Sequence, residues 1–232
     1  MTIGVICAME EELRALLAKL DDETEISVAN QHYFKGTIEG VSVVLVESGI
    51  GKVQMGMTTA IMLEKFAPDV VINTGSAGGI GQGLQVGDVV LSSAVAYHDA
   101  DATAFGYEMG QLPQQPQKFT ADAQVVVDIA RAAESVGLNT KTGLIVSGDQ
   151  FIASDEAKKR ILGIYPEALA AEMEGAAIGQ VATQFNTPFV VIRAMSDTAD
   201  GDAGQSFDEF IVDAGKRSAQ MLLAYIHQLK EA

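Results

Sequence analysis

Two stretches of this chain, residues 70–73 and 88–96, carry apolar side chains at consecutive rather than strictly alternating positions and read as strands covered on both faces. A strand of that kind lies inside a sheet with helices packed on each side. The flanking sequence supplies those helices. Residues 2–7 read as a first strand, and residues 10–20 follow as a helix with Leu13, Leu16, Leu17 and Leu20 at helical spacing. Residues 25–47 alternate and are broken at Ala29-Asn30 and Glu39-Gly40, as a strand meander requires. Helices are expected over residues 51–66, 121–136, 154–162, 174–185 and 207–229, and further strands over residues 142–146 and 189–194. No linker, repeat or low-complexity run divides the 232 residues. The expectation is one domain, residues 1–232, with a three-layer α/β/α architecture around a central twisted mixed sheet.

Charge and composition exclude several functions. With 15 basic residues against 31 acidic ones the formal charge is -16, which repels a phosphate backbone, so nucleic acid is not an expected partner. No apolar run approaches the ~18 residues that would suggest a membrane span. The apolar N-terminus has no basic leader and runs straight into Glu10-Glu11-Glu12. A single cysteine, Cys7, excludes an internal disulfide and reads as a small core residue. These features point to the cytoplasm. Residues 99–118 show no period, yet Phe105, Tyr107, Met109 and Leu112 fall within them, so a functional segment is expected in preference to a surface excursion.

The run Thr74-Gly75-Ser76-Ala77-Gly78-Gly79-Ile80-Gly81 follows a strand and invites comparison with a dinucleotide-binding turn. Such a turn opens a helix that holds the pyrophosphate, but only residues 82–88 separate Gly81 from the next strand, and Gly83 and Gly87 are among them. No tyrosine is followed four residues later by lysine, the proton-transfer pair of short-chain dehydrogenases. The motif therefore implies no nicotinamide cofactor. Its glycines still let backbone at Ser76 and Gly78 approach a ligand closely.

Ligands of open α/β sheets bind beyond the carboxyl ends of the strands, and three acidic positions qualify there: Glu12, Glu174 and Asp197. Glu10 and Glu11 are assigned to the helix macrodipole, and Glu12 reads equally as structural or catalytic. Glu174 and Asp197 are flanked by apolar sequence, where a carboxylate is costly unless it is partnered or functional. Arg193 belongs to the site or serves as the structural partner of one of these acids. His98 with Asp99 and Asp101 is too sparse a set for a metal, and Met55, Met57 and Met62 read as packing.

Eight ordered motifs resemble the 5′-methylthioadenosine/S-adenosylhomocysteine nucleosidases of the nucleoside phosphorylase/hydrolase superfamily. They are Ala8-Met9-Glu10-Glu11-Glu12, Ser48-Gly49-Ile50-Gly51-Lys52, Asn73-Thr74-Gly75-Ser76-Ala77-Gly78-Gly79, Tyr97-His98-Asp99-Ala100-Asp101, Ser147-Gly148-Asp149-Gln150-Phe151, Glu172-Met173-Glu174-Gly175-Ala176-Ala177, Arg193-Ala194-Met195-Ser196-Asp197 and Ser206-Phe207-Asp208-Glu209-Phe210. The chain departs from the family pattern at Cys7, Ala102 and Gln150. The resemblance implies a homodimer without metal or organic cofactor. It places adenine on Phe151 and the backbone of Ile152, and the ribose hydroxyls on Glu174 and Met173. The 5′-thio group falls to Met9, Ile50 and Phe207, with Phe105 supplied by the neighbouring subunit. Asp197 becomes the general acid that protonates the purine, tuned by Ser196 and Arg193. Glu12 becomes the general base, acting on a water that Ser76 and Arg193 orient. Three consecutive glutamates repel a phosphate nucleophile, so hydrolysis is expected rather than phosphorolysis. Hydrolysis of aminodeoxyfutalosine and a catalytically silent adenosine-binding module are the remaining alternatives.

Overall fold

The computed structural model describes residues 1–199 and 203–231, excluding the side chains of residues 11, 12, 203, 205–209, 214 and 231. Strand β1 (Thr2–Cys7) leads into helix α1 (Glu10–Leu17). The meander follows as β2 (Asp21–Val28), β3 (Gln31–Ile38) and β4 (Val41–Glu47). Its two-residue loops have positive φ throughout, 51° and 61° at Ala29 and Asn30, 51° and 85° at Glu39 and Gly40. That is the backbone twist tight hairpins need.

Helix α2 (Lys52–Phe66) precedes β5 (Val70–Gly79) and β6 (Val89–Tyr97). The segment expected to be functional holds a single 3-10 turn, Thr103–Phe105, before β7 (Lys118–Thr120). Phe105 is 82% exposed, while Tyr107, Met109 and Leu112 are half-buried, so its apolar side chains are only partly covered by the rest of the chain. Then come α3 (Ala123–Ser135), β8 (Thr140–Ser147), α4 (Asp155–Ile164) and β9 (Ala168–Glu172). Helix α5 (Gly175–Phe185), β10 (Phe189–Asp197) and α6 (Ala203–Glu231) end the chain. Polar caps set helix starts: the Asp122 carboxylate accepts the Val125 N–H, and Ser154 Oγ accepts the Ala157 N–H.

The strands form one mixed sheet in the order β10-β6-β8-β9-β5-β1-β4-β3-β2, with β7 on the edge of β6. Helices α1, α3 and α6 pack on one another and α2 packs on α5, giving two helical layers with the sheet between them. The sheet is not fully open, because β10 also pairs with β5 and closes β5, β10, β6, β8 and β9 into a ring. Closure depends on the length of β5. Its residues 70–74 pair with β1, whereas Gly78 and Gly79 pair antiparallel with Ala171 and Ala170 of β9. The glycine run is thus a strand that changes partners, and a helix does not follow it. Val71, Ile72, Val190, Val191 and Ile192 are fully buried at the centre of the sheet, each worth about 1.5–3 kcal/mol of transfer free energy. Among the described residues no helix is long and apolar enough to cross a membrane.

Candidate active site

A cavity of about 520 Å³ opens where the carboxyl ends of β1, β5, β8, β9 and β10 meet. Most of the expected site residues line it: Met9, Ile50, Ser76, Gly78, Phe151, Ile152, Met173, Glu174, Arg193, Ser196 and Asp197. Phe105 does not, in keeping with its exposure. The side chains of Glu12 and Phe207 lie outside the described residues. Gln150 and Glu172 line the cavity as well, and Glu172 is the residue that sequence reasoning passed over. Its signal was a second carboxylate ending the apolar run Ala168–Glu172.

Asp197 ends β10 and is 2% exposed. One carboxylate oxygen, Oδ2, accepts the Ser196 hydroxyl at 2.9 Å, and the other, Oδ1, accepts the Ala199 N–H at 2.8 Å. The carboxylate lies against Gly78, where an added Cβ would stand 2.8 Å from Oδ1. Only a glycine at that position leaves the acid its place.

Glu174 and Glu172 are buried together, yet they do different things. Glu172 accepts the N–H groups of Glu174 and Gly175 at the start of α5, the Ser147 hydroxyl, and Arg193 Nη2 at 2.5 Å. Its charge is therefore matched by a guanidinium and by a helix N-terminus. Glu174, at the N-cap of α5, accepts the Gly51 N–H on Oε1 at 2.8 Å, while its Oε2 lies 3.9 Å from Arg193. Arg193 also donates to the Asn73 side chain at 2.5 Å and to the Ile192 carbonyl at 3.0 Å. So Arg193 pairs most closely with Glu172, which the sequence did not single out, and more distantly with Glu174, which it did. Arg193 also lines the cavity.

His98 is 2% exposed, and neither ring nitrogen has a hydrogen-bond partner. Burial holds its pKa below the usual histidine value. Asp99 is paired with Lys52 instead. Among the described residues no group of three or more His, Cys, Asp or Glu side chains is arranged to hold a metal ion.

Residues 2–227 match the model of the phosphorylase superfamily. A 5′-methylthioadenosine/S-adenosylhomocysteine nucleosidase from Actinobacillus succinogenes is 48% identical over 230 residues, covering 99% of this chain and 100% of the relative. The chain belongs to this nucleosidase family within the phosphorylase superfamily. The crystal structure of the family's Neisseria meningitidis member, in complex with methylthio-immucillin-A, superposes with a TM-score of 0.96 at 46% identity, covering 98% of this chain and 99% of that one. A futalosine hydrolase mutant from Helicobacter pylori superposes with a TM-score of 0.94 at 30% identity, covering 98% of this chain and 99% of that one. The nucleosidase fold is thus kept in a protein named for a different substrate. Identity is higher toward the methylthioadenosine/S-adenosylhomocysteine nucleosidases.

Proposed function

We propose that this chain hydrolyses the N-glycosidic bond of 5′-methylthioadenosine and S-adenosylhomocysteine, releasing adenine and the 5-thioribose product. The observation that carries the reading is one cavity walled by three buried carboxylates, of which Glu172 is engaged by Arg193 and the other two differ in character. Asp197 is held by a hydroxyl and a backbone N–H, and Glu174 stands beside a guanidinium.

Adenine leaves poorly as an anion, so the bond breaks as N7 gains a proton and positive charge grows on the ribose. Asp197 supplies that proton, and Ser196 orients the acid. Glu174 takes the ribose hydroxyls and stabilises the cationic sugar, with the backbone of Met173 beside it. The adenine ring rests on Phe151 and hydrogen-bonds the backbone of Ile152. Met9, Ile50 and Phe207 receive the 5′-thio group. Glu12 acts as base on the attacking water, which Ser76 and Arg193 orient. Acid and base assistance contributes roughly 10²- to 10⁴-fold for each group. Among the described lining residues the basic side chain is Arg193, and Glu172 already engages it. That arrangement suits water better than a phosphate dianion.

The functional unit in this reading is a homodimer. Ile50, which lines the cavity, is 54% exposed, and Val53 and Phe105 are 83% and 82% exposed, an unusual cost for large apolar side chains. A second copy covers them and brings Phe105 of the partner subunit to the 5′ pocket. Product analysis with and without phosphate tests the reaction. Free 5-methylthioribose at an unchanged rate is expected, and a phosphate-dependent rate yielding a ribose 1-phosphate would overturn it.

A further inference from the structure

Three charged side chains in separate sequence motifs have no part in the chemistry above: Lys52, Asp99 and Asp149. The fold brings them to one point, beyond the carboxyl ends of β4, β6 and β8. Lys52 Nζ lies 2.8 and 2.6 Å from the two Asp99 oxygens and 3.7 Å from Asp149 Oδ2. The backbone is laced into the same cluster. The Lys52 N–H donates to Asp149 Oδ1 at 2.9 Å, and the Asp149 N–H donates to Asp99 Oδ2 at 3.0 Å.

The segments are pressed together as well as charged. A Cβ on Gly51 would lie 3.2 Å from Asp149 Oδ1, and one on Gly148 would lie 3.0 Å from Asp99 Cγ. Exposed ion pairs contribute little, but the Lys52 and Asp99 side chains are only 24% and 17% exposed, and backbone amides share their carboxylates. The cluster sits between two substrate contacts. On one side the neighbouring amide, Gly51 N–H, holds Glu174 Oε1 at 2.8 Å. On the other, Asp149 adjoins Gln150, Phe151 and Ile152, which line the cavity.

We propose that Lys52, with Asp99 and Asp149, is a positioning residue for the reaction, keeping the ribose carboxylate Glu174 and the 150–152 segment in register. This rests on the proposed function for its catalytic consequence, but not for the clamp itself. The ammonium lets two carboxylates approach; without it they repel, and the turn at Gly51 and the segment after β8 move apart. Asp197, on β10, makes none of these contacts and keeps its place. Loss of the clamp therefore raises KM through both segments and lowers kcat through the displaced Glu174, while the acid step at Asp197 is unchanged.

The test compares Lys52→Met, which keeps the aliphatic stem, with Lys52→Arg, which restores the charge, in the full chain. Hydrogen exchange without nucleoside should show faster exchange over residues 49–52 and 147–151 in Lys52→Met and near-wild-type exchange in Lys52→Arg. KM for methylthioadenosine should rise about 10-fold or more in Lys52→Met, with a fall in kcat that Lys52→Arg restores and a pH profile of kcat that stays unchanged. Wild-type exchange and wild-type KM in a folded Lys52→Met protein would overturn the proposal. If Lys52→Met does not fold, Asp99→Asn takes its place by a different loss: it removes the carboxylate that ties Lys52 to the Asp149 N–H, so faster exchange over residues 49–52 and 147–151 and a raised KM are expected, and wild-type exchange with wild-type KM in that folded variant would overturn the proposal. A wild-type chain that released no adenine would sink the proposed function, while the exchange comparison would still decide the clamp.

Discussion

Replacing Asp197 with asparagine keeps the size of the side chain and removes its capacity to carry and deliver a proton. Oδ1 remains to accept the Ala199 N–H, which lies 2.8 Å away. An Nδ2 in place of Oδ2 meets Ser196 Oγ at 2.9 Å, and that hydroxyl turns its own proton to the Ala77 carbonyl, 3.4 Å away. Of these described partners none is a buried group that loses its last hydrogen bond. The stability cost is the change from charge-assisted to neutral hydrogen bonds, about 1–2 kcal/mol, or a few degrees in Tm for a chain of this size. The chemical cost is far larger. Losing a general acid slows adenine release at least ~100-fold, a barrier increase of about 2.7 kcal/mol.

The two costs separate in an assay that changes the leaving group. Adenine release from methylthioadenosine should collapse in Asp197→Asn, whereas a nitrophenyl riboside, whose leaving group departs as an anion, should be cleaved at a far smaller deficit. Glu174→Gln should impair both substrates, because the sugar must be held whatever departs. Equal loss on both substrates in Asp197→Asn, with adenine binding and Tm near wild type, would show that Asp197 positions rather than protonates.

Gly78→Ala places a methyl 2.8 Å from Asp197 Oδ1 and 3.1 Å from Ala199 Cβ; the displaced acid should lower kcat by about 10- to 100-fold, and wild-type kcat would refute the close approach. Phe105→Ala should raise KM for methylthioadenosine more than for adenosine, which lacks the thioether; an equal rise, or a monomer in sedimentation, would remove the partner's Phe105 from the pocket. His98 titrates below its ordinary value because it is buried, so on acidification the unfolded chain takes up a proton first, near pH ~6.5. Stability contributed by neutral His98 is complete above that pH and falls below it, at up to about 1.4 kcal/mol per pH unit until the folded-state pKa is reached. Urea midpoints from about pH 7.5 to about pH 5.5 should show a decline that His98→Gln flattens; an unchanged slope in that variant would assign the decline elsewhere.

What was legible in the sequence was what local pattern encodes. The breaks at Ala29-Asn30 and Glu39-Gly40 are hairpin turns because their residues adopt positive φ, and the missing helix after Gly81 follows from the short spacing to β6. Carboxylates flanked by apolar residues at strand ends led to Glu174 and Asp197, since burial of charge demands a reason. Pairing across long separations left no such mark. Nothing local says that Arg193 meets Glu172, that Lys52 meets Asp99, or that β10 returns to β5. The aperiodic segment shows the same limit from the other side. Its apolar content called for burial, but Phe105 is 82% exposed on this chain.

Closure of the ring is what turns scattered strand ends into one site. In the register Asp197 sits opposite Gly78 on one side of β5, and Gly78 sits opposite Ala171 on the other, one residue before Glu172. The acid and the Glu172–Glu174 pair therefore stand at one level across three adjacent strands, though they lie on elements separated by α5. This arrangement requires β5 to outrun β1 and take β9 as a new neighbour, and it requires a residue without a side chain where the strands crowd. A bulkier residue at Gly78 would collide with the carboxylate, and a β5 ending at residue 74 would keep β10 through residues 71–74 but lose β9, leaving the ring open. The glycine run that suggested a cofactor turn thus has a different physical reason: it lets three strand ends converge closely enough for Asp197 and Glu174 to share one cavity.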